Sequence, residues 1–135
     1  MLTSDGIVYL EADDIIALYA ELFGCSFDTA AAQLLDRGGL EGGLARPRWY
    51  GGMGEDLALQ AAALTHAIAE GQRFIEGNKR TALVALGSFL RLNGYRLAPR
   101  EQELATWILD LSRGLTIQDL AGSIRQAMEP ISEAS

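Results

Sequence analysis

Apolar residues recur at helical spacing along most of the chain. The clearest stripes lie within residues 15–23, 57–68, 104–111 and 117–128. Their apolar positions are three or four residues apart, which predicts one buried face on each helix. Short polar or glycine-containing segments separate the stripes, and no repeat, low-complexity segment or domain linker interrupts them. We therefore predict an all-α fold, a single compact helical bundle forming one domain over residues 1–135.

Three shorter segments are predicted less directly. Residues 7–10 are β-prone and should lead in as an extended segment. A second helix should run over residues 26–35 and stop at Gly38 and Gly39. Residues 40–46 should form one more short helix, although two glycines weaken it.

Residues 81–90 carry no charge on any face. A helix that is apolar all round is buried, so this segment should be the central helix of the bundle. Asn93 and Gly94 follow it as a helix-ending signal. The start of this helix should accordingly be held rigidly in the core.

The composition excludes several classes of function. The net charge is −7 and the pI is about 4.6, which argues against nucleic-acid binding through a basic surface. Cys25 is the single cysteine, so an intrachain disulfide is impossible and a reducing compartment is expected. No signal peptide or bilayer-spanning stretch is visible. We predict a cytoplasmic protein that binds neither nucleic acid nor membrane.

A short polar segment with Glu76, Gly77, Asn78, Lys79 and Arg80 leads into the charge-free helix, which should start near Asn78 or Lys79. The first N–H groups of a helix lack partners and carry the positive end of its dipole, so they bind anions. Two cations at that end oppose the dipole unless an anion is bound. An acid beside an anion site can hold magnesium, which points to a nucleotide. The alternative is an ordinary turn and helix cap with solvated cations.

Residues 74–83, Phe-Ile-Glu-Gly-Asn-Lys-Arg-Thr-Ala-Leu, resemble the core motif of the Fic/Doc superfamily. The pair Lys79-Arg80 resembles the Doc (death-on-curing) branch, because the AMP-transferring Fic branch usually has Gly-Arg there. Residues 40–47 and 89–95 are also similar to Doc-family segments, so the resemblance covers most of the chain. It implies the helical Fic/Doc fold with a buried central helix.

The resemblance also implies a function. Doc-like proteins are toxins of toxin–antitoxin pairs that use ATP and Mg²⁺ to phosphorylate a hydroxyl of a protein such as a translation elongation factor. A small antitoxin is the implied partner. By position in the motif, the magnesium ligand is Glu76, and the groups on the phosphates are Gly77, Asn78, Lys79 and Arg80. Phe74 is implied as the anchor of this loop in the core.

The segment with Arg48, Trp49 and Tyr50 corresponds, by resemblance, to the flap over the active site that docks the protein target. A glycine-rich loop with exposed aromatic side chains is suited to binding. The alternative is an ordinary connector whose aromatic side chains pack on the core.

One position departs from the family motif. Gln72 occupies the position of the family's general-base histidine. By resemblance, Gln72 and Lys79 occupy the two catalytic positions. Glutamine has no group that titrates near neutral pH, and losing a positioned base lowers a rate by about 10²–10⁴-fold. We therefore predict impaired transfer. Arg73 is a further unusual residue, and the single histidine, His66, is interpreted as an ordinary helix residue rather than a replacement base.

Two alternatives remain open. The chain is either a non-catalytic, nucleotide-binding pseudoenzyme or interaction module, or a diverged Fic-type nucleotide transferase. Lys79 disfavours the second alternative, because that branch has glycine there to admit the diphosphate. Gln72 is either a natural divergence or an introduced change, and the unusual Arg73 beside it favours divergence.

Overall fold

The computed structural model describes residues 1–4, 6–46 and 56–131. In these residues it has seven helices and four three-residue strands, which confirms the all-α prediction. The helices are α1 (Ala12–Phe23), α2 (Phe27–Ala32), α3 (Arg37–Ala45), α4 (Leu57–Ala69), α5 (Asn78–Leu92), α6 (Glu101–Ser112) and α7 (Ile117–Ala127). The strands are β1 (Leu2–Ser4), β2 (Ile7–Tyr9), β3 (Tyr95–Leu97) and β4 (Met128–Pro130). None of these helices has both the length and the apolar composition needed to cross a bilayer.

Helix α4 is the most deeply buried element of the described chain. Ten of its 13 residues are buried, and it packs along its length against α5 and α7. Its many alanines permit this close approach, since a small side chain leaves room for the neighbouring helix. Asp56 caps its start by accepting a hydrogen bond from the Leu59 N–H (3.0 Å). Both carboxylate oxygens of Asp56 also accept from Nη2 of Arg125 (2.7 and 2.9 Å), which makes an ion pair.

Helix α5 is buried less completely than its sequence predicts. One face, which includes Ala82, Leu86 and Phe89, lies in the core. The opposite face, with Val84 and Ser88, is half-buried. The charge-free segment of residues 81–90 is therefore buried on one face and half-buried on the other, and α4 is buried more completely.

The second predicted helix is wrong in its extent. Helix α2 ends at Ala32, and Gly38 and Gly39 lie inside α3 instead of stopping a helix. Leu34 leaves helical geometry because it pairs with Phe74 in an isolated antiparallel bridge. A tertiary contact thus overrides the local helical pattern.

Two small antiparallel sheets complete the fold. Strand β2 confirms the extended segment predicted for residues 7–10, and it pairs with β1. The β3–β4 pair was not predicted, and Met128, assigned to the last helix from its spacing, lies in β4. Strands of three residues are too short to show an alternating pattern.

Asn93 fastens β2 to the end of α5. Its Oδ1 accepts from the Val8 N–H (2.9 Å), and its Nδ2 donates to the carbonyl oxygens of Val8 (2.9 Å) and Phe89 (2.8 Å). Gly94 follows with a φ of 89°, so the predicted helix end is confirmed.

Candidate functional site

The end of α4 and the start of α5 face a common cleft of about 400 Å³. The described residues that line it are Ala69, Glu70, Gln72, Ile75, Gly77, Asn78, Lys79 and Arg80. Five residues from the sequence prediction are thus brought together: Gln72, Gly77, Asn78, Lys79 and Arg80. Phe74 and Glu76 are not among the lining residues. Arg48, Trp49 and Tyr50 lie outside the described residues.

Gly77 precedes the first residue of α5 and adopts a left-handed backbone, with a φ of +81°. A Cβ atom at this position would lie 2.5 Å from Cζ and 2.8 Å from Cε2 of Phe23. Both the backbone conformation and the packing therefore require glycine. The helix begins where the sequence predicts it.

Asn78 uses its carboxamide to hold the loop. Its Oδ1 accepts from the Phe74 N–H (2.8 Å), and its Nδ2 donates to the Phe74 carbonyl oxygen (2.9 Å). The side chain does not cap the helix, and one of its two N–H donors is used by this contact. Asn78 can reach a ligand through its backbone N–H, one of the unpaired donors of the first helical turn.

The loop is also joined to the segment after α2. The Leu35 N–H donates to the Arg73 carbonyl oxygen (2.8 Å), and the Ile75 N–H donates to the Gln33 carbonyl oxygen (2.9 Å). Between them, Phe74 is fully buried and stacks on Tyr19, with ring centroids 4.2 Å apart. Phe74 therefore holds the loop from the core side.

Lys79 and Arg80 are exposed in the first turn of α5. Neither forms an ion pair within residues 1–4, 6–46 and 56–131. The Arg80 guanidinium carbon lies 5.0 Å from the centroid of the Phe23 ring, a cation–π contact that directs this side chain. Two cations and the free N–H groups of a helix start thus share one cleft, an arrangement that attracts anions.

Glu76 is exposed, and its backbone oxygen accepts from the Tyr19 hydroxyl (3.4 Å). Burial, and then the negative charge of Glu76, raise the pKa of Tyr19. No group of three metal-ligating side chains occurs in the part of the chain that the structure describes. One carboxylate fits a magnesium ion that arrives with phosphate oxygens, and does not fit a preformed metal cage.

Gln72 is exposed and has a φ of 52°, the one non-glycine residue with a positive φ among those described. This conformation is uncommon for glutamine and more common for histidine. His66, the only imidazole of the chain, does not line the cleft; its carbonyl oxygen accepts from the Glu70 N–H (2.9 Å).

Arg73 has a structural role that the sequence did not reveal. Its Nε donates to the Ala67 carbonyl oxygen (2.9 Å) near the end of α4. A Cβ on Gly43 would lie 2.5 Å from its Nη2, and Gly71 also closely approaches the guanidinium. Burial, and then the positive charge of Arg46, lower the pKa of Arg73. The side chain thus occupies a slot that glycines leave open.

Glu70 also escaped the sequence analysis, although an acid at a helix end is an available signal. It is the residue after α4, half-buried, and it lines the cleft. Negative charge at a helix C-terminus is unfavourable. The cleft therefore contains cations at the N-terminus of α5 and an acid at the C-terminus of α4, and both oppose the dipole of their own helix.

Two comparisons relate the chain to known proteins. Residues 9–90 match the model of a family described as the Fic/DOC family. The chain is also similar to a protein named Toxin Doc from Mycolicibacterium smegmatis (strain ATCC 700084 / mc(2)155). The two are 34% identical over 93 residues, which cover 67% of this chain and 68% of the relative.

Proposed function

Because the chain belongs to the Fic/DOC family, we propose that it is a Doc-like toxin that transfers the γ-phosphoryl group of ATP to a protein hydroxyl. The observation that carries the proposal is the pair Lys79-Arg80, which lines the cleft at the start of α5 and forms no ion pair with the described residues. Similarity to the mycobacterial Toxin Doc supports the toxin role and a small antitoxin as partner. The acceptor is a translation elongation factor by family resemblance, and the compartment is the cytoplasm.

Phosphate binding rests on the first turn of α5. The N–H groups of Asn78, Lys79 and Arg80 precede the first intrahelical bond, which runs from the Thr81 N–H to the Gly77 carbonyl oxygen (3.0 Å). These three N–H groups bind phosphate oxygens, and the two cationic side chains neutralise charge that develops during transfer. Loop rigidity keeps the donors in place before the nucleotide arrives.

Glu76, exposed beside Gly77, would hold a magnesium ion that arrives with the nucleotide. Bound there, the ion would supply charge neutralisation on the transferred group. The Tyr19 hydroxyl on the Glu76 backbone oxygen fixes the start of this side chain. Arg48, Trp49 and Tyr50 are proposed as the flap that docks the protein target.

The chemical step is slow because Gln72 replaces the general base. A neutral carboxamide can orient the attacking hydroxyl but cannot take its proton at neutral pH. We expect the chain with Gln72 to transfer phosphate more slowly than its Gln72→His variant, by up to about 10²–10⁴-fold, which is the full cost when no other group takes the proton. The same observation favours the second candidate, a nucleotide-binding pseudoenzyme or interaction module, in which the cleft binds and does not transfer.

The test compares the unsubstituted chain with Gln72→His in cell extract, with Mg²⁺ and ATP labelled at the γ or the α phosphate. Histidine adopts positive φ more often than glutamine does, so this variant should keep the stability of the unsubstituted chain. Transfer of γ label to one protein by the variant supports the proposal. Transfer of α label instead identifies a Fic-type nucleotide transferase.

A matched control separates binding from transfer. Lys79→Ala removes a phosphate contact in the Gln72→His background and should weaken ATP binding, measured by calorimetry. Arg113→Ala removes an exposed cation outside the cleft and should leave binding unchanged. ATP binding by the unsubstituted chain without transfer by either form favours the pseudoenzyme.

A further inference from the structure

The cleft contains one carboxylate that the proposed phosphate and magnesium contacts do not use. Glu70 lines the cleft together with Gln72 and Lys79. Its carboxylate has no ion pair or hydrogen bond with any other described residue. It is also half-buried, which limits its hydration. An unpaired acid in a cationic cleft is free to act on a ligand.

The position of Glu70 is unfavourable for its own helix. It follows the last residue of α4, where the helix dipole is negative, and its N–H is bonded to the His66 carbonyl oxygen (2.9 Å). The backbone of Glu70 is therefore fixed, whereas no other described residue bonds to its side chain. A residue that opposes the preference of its own helix without a gain in stability is typical of a functional position.

The other groups at the cleft cannot accept a proton at neutral pH. Gln72 is neutral, and Lys79 and Arg80 are cationic. His66 does not line the cleft, and neither does the Glu76 side chain. Glu70 is the remaining described lining residue that can accept a proton, and it lies two positions before Gln72.

We propose that Glu70 serves as the proton acceptor in place of the family histidine, an inference that rests on the proposed phosphoryl transfer. The acceptor hydroxyl oxygen bonds to the γ-phosphorus of ATP, and the bond from that phosphorus to the β–γ bridging oxygen breaks. The hydroxyl proton passes to the Glu70 carboxylate, and ADP leaves with the bridging oxygen. Gln72 orients the hydroxyl by a hydrogen bond.

The test is a double-mutant cycle between Glu70→Gln and Gln72→His, read as the rate of γ-label transfer at saturating ATP. In the unsubstituted background, Glu70→Gln should lower the rate by about 10²–10⁴-fold. In the Gln72→His background the imidazole takes the proton, so the same substitution should cost less than about tenfold. Glu21→Gln, an exposed acid of α1 outside the cleft, is the matched control. ATP affinity is measured for every variant.

Each outcome of the cycle decides between roles for Glu70. A large loss in the unsubstituted background and a small loss in the Gln72→His background support Glu70 as the proton acceptor. Equal losses in both backgrounds indicate a structural or magnesium-binding role and overturn it, as does an undiminished rate for Glu70→Gln alone. Transfer by Gln72→His without measurable transfer by the unsubstituted chain overturns the inference but leaves the proposed function standing. Absence of transfer in every form, with ATP bound, rejects the proposed transfer itself.

Discussion

Replacing Gly77 with alanine tests the geometry on which the proposed phosphate site depends. The residue has a φ of +81°, and the added Cβ would lie 2.5 Å from Cζ of Phe23. Phe23 cannot move freely, because its ring centroid lies 4.5 Å from that of Tyr19 and its face holds Arg80. The substitution thus perturbs both the loop and the direction of Arg80, one of the two cations proposed to bind phosphate.

Two physical contributions set the size of the effect. A non-glycine residue in the left-handed region costs about 1–2 kcal/mol. Displacing a packed ring costs a further 1–3 kcal/mol, roughly, by analogy with overpacked cores. Gly77→Ala should therefore lower the free energy of unfolding by about 2–5 kcal/mol. For a chain of this size each kcal/mol lowers Tm by roughly 3–4 °C.

The assay is urea unfolding followed by circular dichroism, with ATP binding measured by calorimetry. Gly87→Ala is the matched control in α5, since nothing lies within 4 Å of a Cβ there. It should stabilise the protein by about 0.5–1 kcal/mol, because alanine is the better residue inside a helix. Adding Phe23→Ala to Gly77→Ala removes the steric conflict. The remaining destabilisation then comes from the left-handed backbone of residue 77 and from the lost packing of the Phe23 ring.

Three results would refute the steric explanation. Gly77→Ala could unfold at the same urea concentration as the unsubstituted chain, or Gly87→Ala could be equally damaging. The losses caused by Gly77→Ala and Phe23→Ala could also simply add. A shared steric conflict requires the double variant to be more stable than that sum.

Three further predictions concern the supports of the site. Arg73→Ala removes the bond to the Ala67 carbonyl oxygen and empties the glycine-lined slot, so urea unfolding should show a loss of about 1–3 kcal/mol, with Arg73→Lys restoring little of it. Burial raises the pKa of Asp56, but the Arg125 ion pair and backbone N–H groups outweigh burial and lower the pKa overall. The stabilisation from Asp56 is therefore present above the unfolded value of 3.8 and is lost as pH falls through the lower folded value. Asp56→Asn, which keeps the helix cap, should flatten that loss in acid titrations of stability. Asn93→Ala leaves backbone groups of β2 and α5 without partners and should cost about 2–4 kcal/mol in urea unfolding, whereas an unchanged midpoint contradicts the fastening role.

Local sequence rules predicted the elements whose signals lie close together in the chain. Apolar spacing indicated the four long stripes, and Gly77 before Asn78 marked the start of α5. These features depend on backbone preferences and on neighbours three or four residues away, which the sequence displays directly. The family motif likewise indicated which side chains gather at the helix start.

The sequence alone specifies the all-α class, the helix start with its two cations, and a residue at position 72 that has no titratable side chain. The packing of the whole chain bonds the Asn78 carboxamide to Phe74, pairs Leu34 with the same residue outside any helix, and brings Glu70 to the cleft. These arrangements join residues whose positions are set by how α4 and the loop pack in space. Hydrogen bonds and packing across the chain outweigh local preference there, because burying an unpaired backbone group costs more than ending a helix early.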